Sequence, residues 1–416
     1  MKTTISAVSA EPRSPIIQNT VIPVLIAISF SHFLNDTLQS LIPATYPLLK
    51  TSLRLTYTQI GLITLTYQLI ASLLQPVVGY VTDRRPQPYS LAVGMGFTLV
   101  GLALLSLAGT YPMILFSVAL VGMGSAVFHP ESSRVAHMAA GKHRGLAQSV
   151  FQVGGNAGSS LGPLLAAVII TGKGHSQIAW FIPVAMLAIL VLWRVGRWYG
   201  ENSGRTHHAT SISGNSTQAH LPKKTVVFSI SILLVLIFSK YFYLASMTSY
   251  FTFYLISRFQ LTIADAQVHL FLFLLAVAAG TVIGGPIGDR FGRKYVIWGS
   301  ILGAAPFALA MPYANLIWTT ILSLFIGLIL SSAFSAILVY AQELVPGKVG
   351  MISGFFFGFA FGMGGIGSAV LGVIADQTSI IYVYRLCAFL PLIGLFAGFL
   401  PSIEGEARLK SPKPGH

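Results

Sequence analysis

The chain has 416 residues, 54% of them hydrophobic and only 9% charged, with a mean hydropathy of +0.75 and a formal net charge of +14. Ordinary soluble domains are roughly a quarter charged, so lipid is the natural solvent for most of this chain. The basic residues are scattered singly between apolar runs, which argues against a nucleic-acid-binding stripe, and the lone Cys387 rules out an intrachain disulfide, a Cys-based zinc site or a thiol pair.

In lipid only helices or closed barrels satisfy the backbone. Barrel strands would alternate apolar and polar residues over about ten positions, whereas the apolar runs here last about 18 to 28 residues, enough for helices crossing a ~30 Å hydrocarbon layer. Twelve spans are predicted, at 21–49, 58–80, 89–109, 112–133, 146–171, 177–198, 225–256, 265–287, 295–312, 315–338, 350–375 and 380–400. The fold class expected is therefore an all-α membrane protein with twelve transmembrane helices.

Residues 1–20 form a polar tail with no apolar core of signal-peptide type, so the first span is expected to start insertion. In that span His32, Asn35, Asp36 and Gln39 fall at i, i+3, i+4 and i+7 and share one helical face. An ionisable group at the bilayer centre costs at least ~2.5 kcal/mol, which makes it a functional candidate by default. The stripe reads as a cavity-lining, proton-binding face with Asp36 at its centre, or else as a structural hydrogen-bond seam. The second span ends in Gly79-Tyr-Val-Thr-Asp83-Arg84.

The fourth span closes with Phe128-His129-Pro130-Glu131-Ser132-Ser133-Arg134, where proline frees a carbonyl and can kink the helix. His129 and Glu131 are near enough to exchange protons, and the bland alternative is a helix end held by an Arg134–Glu131 contact. The fifth span carries Gln148, Gln152 and Asn156 at i, i+4 and i+8, flanked by Gly154, Gly155, Gly158 and Gly162. Small residues let helices approach closely. Gln152 and Asn156 are expected to face a solute cavity, with polar glue between helices as the alternative.

The polar stretch 200–224, rich in Ser, Thr, His and Gly, reads as a linker between a first bundle at 21–199 and a second at 225–401. The seventh span places Lys240 near its middle, followed by Tyr241, Phe242 and Tyr243. A buried ammonium needs a partner: a carboxylate such as Asp36 would make it structural, an anionic solute would make it a binding group. The eighth span runs into Gly285-Pro-Ile-Gly-Asp289-Arg290-Phe-Gly292-Arg293-Lys294, and Glu343 follows the tenth span as a candidate conformational lock. Residues 402–416 form a polar tail.

With the N-terminus inside, nineteen of the twenty-five Lys and Arg residues fall on the cytoplasmic side. The positive-inside rule then puts both termini and the linker in the cytoplasm of a bacterial inner membrane. Gly79…Asp83-Arg84 recurs 206 residues later as Gly285…Asp289-Arg290, each at the end of the second span of its half. Such parallel duplication is the organisation of transporters whose solute site lies between two halves.

Gly285, Asp289, Arg290, Gly292 and Arg293 resemble a full copy of the loop signature of the major facilitator superfamily. The first-half copy keeps Gly79, Asp83 and Arg84 but has Arg85-Pro86-Gln87-Pro88 where the family has Gly-Arg-Lys. Stretches such as Ser31-His-Phe-Leu-Asn-Asp36, Val127-Phe-His-Pro-Glu and Phe238-Ser-Lys-Tyr-Phe-Tyr243 are similar to the branch of that superfamily that exports fosmidomycin. The resemblance implies two pseudo-symmetric six-helix bundles, loops that latch the cytoplasmic side, and efflux of a small anionic phosphonate drug, with proton antiport as the expected coupling.

Proton coupling is assigned to Asp36, His32, Glu131 and His129, and substrate contact to Lys240, Asn35, Gln39, Gln152, Asn156 and Tyr243. Protons, the drug and the lipid bilayer are the expected partners, the chain is expected to be a monomer, and no cofactor or metal is foreseen. Uptake or exchange of a phosphorylated metabolite is the alternative within transport. A membrane-embedded enzyme is the rival from another class, but no HExxH, nucleotide loop or paired cysteine appears.

Overall fold

The computed structural model describes residues 20–140, 144–202, 222–345 and 349–401. Twelve helical segments follow one another in these residues: α1 (Ile22–Ala44), α2 (Tyr57–Arg84), α3 (Ser90–Ser106), α4 (Tyr111–Ala139), α5 (Arg144–Leu165), α6 (Ile182–Asn202), α7 (Lys223–Phe259), α8 (Ile263–Phe291), α9 (Arg293–Gly303), α10 (Leu316–Ser331), α11 (Val349–Gln377) and α12 (Ile380–Cys387). Each matches one predicted span. Several are extended by a shorter element that bends at a polar residue or proline, as where Thr45 closes α1 before Tyr46–Leu53, or Ser332 separates α10 from Ala333–Leu344.

Among the described residues, ten helices are long and apolar enough to cross a membrane. The two remaining predicted spans depart from that standard for visible reasons. Ser90–Ser106 is apolar but only 17 residues long. Ile22–Ala44 has the length, but its buried face carries His32, Asn35, Thr37 and Gln39 as well as apolar side chains.

Local signals set the boundaries. Thr56 accepts a hydrogen bond from the Gln59 amide while the Gln59 side chain reaches back to Thr56, a capping box that starts α2. Asn315 caps α10 in the same manner. Gly292 sits at φ 94° between α8 and α9, a conformation that favours glycine, which explains why the loop signature needs it there.

The helices form two bundles. Within the first, α1 packs on α5 and α3 on α4; within the second, α8 packs on α10 and α7 on α11. The bundles meet along two seams, α2 against α11 and α5 against α8. The duplication maps α2 onto α8 and α5 onto α11, so one seam is the symmetry mate of the other.

Candidate transport site

The first bundle gathers its titratable groups by letting α1 and α5 approach closely. A Cβ at Gly154 or Gly158 would run into the carbonyl oxygens of Ser29 and Phe33 on α1, and a Cβ at Gly155 would strike the His32 ring. This glycine face leaves room on α1 for a histidine and a carboxylate at the same level.

His32 Nε2 lies 3.3 Å from one oxygen of Asp36, and His129 Nε2, from α4, lies 3.8 Å from the other. Both histidines are oriented from behind. His32 Nδ1 is 2.8 Å from the Phe151 carbonyl oxygen, and His129 Nδ1 is 3.0 Å from that of Ser125. A carbonyl only accepts, so each Nδ1 carries its hydrogen and each Nε2 is turned to the carboxylate. A neutral His32 facing an ionised Asp36 would then oppose two lone pairs. At least one proton therefore belongs between His32 and Asp36, whichever atom bears it.

Asn35 Nδ2 donates to Asp36 at 2.9 Å and Ser159 Oγ approaches the other oxygen at 3.5 Å. The Asp36 side chain is 16% exposed and that of His129 21%, against 4% for His32, so solvent reaches the cluster from the His129 side. The ligand atoms of His32, Asp36 and His129 all lie within 4.8 Å of one another, a spacing that also admits a divalent cation.

A second layer surrounds this cluster. Tyr67 on α2 donates to Gln39 Oε1, which Ser125 Oγ also approaches at 3.5 Å, and Ser125 Oγ is 3.2 Å from His129 Nδ1. Asn35 Oδ1, Gln39 Nε2, Gln68 Oε1 and Gln75 Nε2 are buried with no hydrogen-bond partner among the described residues. Buried amide groups left so cost about 1–3 kcal/mol each, which a polar solute or water in the cavity would offset. Gln152 and Asn156 are half-buried on α5. Tyr67, Gln68 and Gln75 are absent from the sequence-based candidates. Gln68, Ser72 and Gln75 repeat the i, i+4, i+7 spacing of the α1 stripe, and that signal was available.

The second bundle is different in kind. Lys240 is 3% exposed and has no hydrogen-bond or ion-pair partner among the described residues. Its ammonium lies 5.4 Å from the ring centre of Phe334 and 5.8 Å from that of Tyr241. The contacts of Asp36 are His32, His129, Asn35 and Ser159, so the Lys240–Asp36 pair weighed from sequence is not formed. Tyr243 is buried with an unpartnered hydroxyl.

The family model described as the Major Facilitator Superfamily matches residues 28–267 and 242–415. The chain belongs to that superfamily. It is 64% identical over 382 residues to the fosmidomycin resistance protein of Escherichia coli (strain K12), covering 91% of this chain and 92% of the relative. It is 43% identical to the uncharacterized MFS-type transporter YfnC of Bacillus subtilis (strain 168), over 92% of this chain and 94% of that one. Two solved folds superpose with a TM-score of 0.70 at 13% identity: a bacterial homolog of the human lysosomal transporter Spinster, in an inward-facing and occupied conformation, and the nucleoside transporter NupG. The first covers 94% of this chain and 97% of its own, the second 90% and 98%. The chain is thus a multi-pass membrane transporter and not an enzyme.

Within this transporter Glu131 is fully buried beside Arg134, Oε1 to Nε 3.5 Å, with Ser90 Oγ 3.5 Å from its other oxygen. Arg134 in turn donates to the Thr82 carbonyl at the end of α2. Glu131 therefore joins α4 to α2 and α3 and has no contact with Asp36. Of the loop signature, Gly79 faces open space, with nothing within 4 Å of where a Cβ would stand. Gly285 and the side chains of Asp83, Arg84, Asp289 and Arg290, like those of Gln148 and Glu343, lie outside what the structure describes. So do the tail 1–19, most of the linker at 203–221, and the tail 402–416.

The opposite end of the molecule is bolted across the two bundles. Asp376, near the end of α11, accepts from the Tyr57 and Thr58 amides at 2.8 and 2.7 Å and from Thr58 Oγ1 at 2.6 Å. One carboxylate thereby caps the N-terminus of a helix in the other bundle. Gln267 donates to the Ala44 carbonyl, Tyr250 to that of Tyr57 at 3.2 Å, and Thr64 Oγ1 meets Ser249 Oγ at 3.3 Å.

Proposed function

We propose that this transporter is an inner-membrane exporter of small phosphonate antibiotics of the fosmidomycin type, and that it exchanges drug for protons by alternating access. Both termini and the linker face the cytoplasm in this reading, by the distribution of Lys and Arg. The bolted end is then periplasmic, and the structure corresponds to an inward-facing state ready to load drug from the cytoplasm.

Lys240 is the observation that carries the reading. An ammonium in a dry, aromatic surround is costly unless an anion joins it, and the bundle offers none of its own. A phosphonate arriving there supplies the missing charge. The 64% identity to a fosmidomycin resistance protein supports that class of anion. The His32–Asp36–His129 cluster supplies the proton site: two tautomers fixed from behind, one carboxylate between them, and solvent access from one side. The exchange of a dianion for one proton moves three charges, worth roughly 7 kcal/mol per 100 mV of inside-negative potential.

Counterflow in proteoliposomes tests this directly. Preloaded fosmidomycin is expected to drive uptake of labelled drug, and an imposed pH gradient to accelerate net movement. Counterflow with a phosphorylated metabolite and none with the drug would replace this reading by metabolite exchange.

A further inference from the structure

We propose that Phe334 is a positioning residue that holds the Lys240 ammonium between transport cycles and gives it up when an anion arrives. The inference rests on the reading of Lys240 as the anion-binding group. Phe334 belongs to Ala333–Leu344, the continuation of α10, and its ring is almost fully buried. The ammonium stands over it at 5.4 Å from the ring centre, within the ~6 Å range at which a ring quadrupole attracts a cation.

The ring is fixed on two sides. Phe357 of α11 meets it edge-on at 5.0 Å and an interplanar angle of 67°, and Tyr241 of α7 at 5.8 Å and 70°. Three helices of the second bundle thus set the plane of one ring beneath one charge. No other described group of Phe334's neighbourhood offers Lys240 a lone pair, so the ring is the principal compensation for the ammonium while the site is empty.

This arrangement makes the ring a competitor of the anion. An ammonium that turns to a phosphonate gives up its place over the ring, and the cost is subtracted from the affinity. For an exporter that must release its cargo, a ring that takes the ammonium back favours release. Removing it has a sign opposite to ordinary damage: the anion binds more tightly and leaves more slowly.

The test measures binding of labelled fosmidomycin to purified full-length transporter, and drug turnover in proteoliposomes, for Phe334→Leu, Phe334→Tyr, Lys240→Gln and the Lys240→Gln/Phe334→Leu double variant. Phe334→Leu is expected to bind about three- to tenfold more tightly, in line with a partly desolvated cation–ring contact, and to turn over more slowly at saturating drug. Phe334→Tyr keeps the ring and should behave as the parent. In the Lys240→Gln background the leucine variant should change nothing. Unchanged or weakened binding by Phe334→Leu, beside a Tyr variant that binds normally, would overturn the role of Phe334. Parental binding by Lys240→Gln would instead overturn the anion-site reading on which it depends.

Discussion

Asp36 on α1 and Lys240 on α7 stand at mated places in the two bundles, for Lys240 is two residues from position 242, where the 206-residue repeat puts the counterpart of Asp36. Their surroundings have diverged. Asp36 is met by two histidines, an asparagine and a serine, whereas Lys240 is met by two rings. A polar neighbourhood with fixed tautomers lets a carboxylate change its proton without leaving an unpaired charge. An aromatic one leaves a cation wanting an anion. Duplication supplied one scaffold, and side-chain chemistry divided the work between proton and solute.

The largest expected effect breaks the second half of that comparison. Lys240→Gln removes charge-assisted hydrogen bonds worth about 3 kcal/mol, so drug affinity should fall about a hundredfold and resistance should vanish while membrane levels hold. Direct binding together with immunoblotting checks this. Restoration of the Gln variant by Asp36→Asn would mean that the two charges form a pair in some state of the cycle, and the division of labour would be lost.

A smaller effect sharpens the first half. Asp36→Asn fixes the centre of the triad in a neutral form, and drug–drug exchange should persist within about threefold, on the order of 0.6 kcal/mol, while acceleration by an imposed pH gradient disappears. Exchange assays with and without the gradient separate the two. A variant that still answers the gradient would move the proton carrier elsewhere, with Glu131 the next candidate.

The smallest effect concerns the bolt between the bundles rather than either site. Asp376→Ala deprives α2 of a cap worth about 1 kcal/mol, so the outward-open population should rise about fivefold. Spin-label distances across the two bundles would register the shift, and an unchanged distribution would deprive Asp376 of its latch role.

The fold was almost wholly legible because apolar runs of bilayer length leave few alternatives to helices, and the Gly79 and Gly285 repeats located the two bundles. Sites were legible where a charge interrupts such a run: Asp36, His32 and Lys240 stand out by cost alone. Partners were not. Whether Lys240 meets Asp36 or stands alone depends on where helices from different bundles sit, and helical spacing within one segment carries no such information. The role of Gly155 in housing His32 was hidden for the same reason. Bends such as those at Thr45 and Ser332 left every predicted span in place but divided helices that hydropathy reads as continuous.

The division between the bundles is tested most directly by proton release when drug binds. Purified transporter in weak buffer should release protons on addition of fosmidomycin, since competing occupancies are reciprocally linked. Asp36→Asn should bind drug with release abolished, and Lys240→Gln should neither bind nor release. Parental proton release from the Asp36→Asn variant would contradict the assignment of the proton to the first bundle.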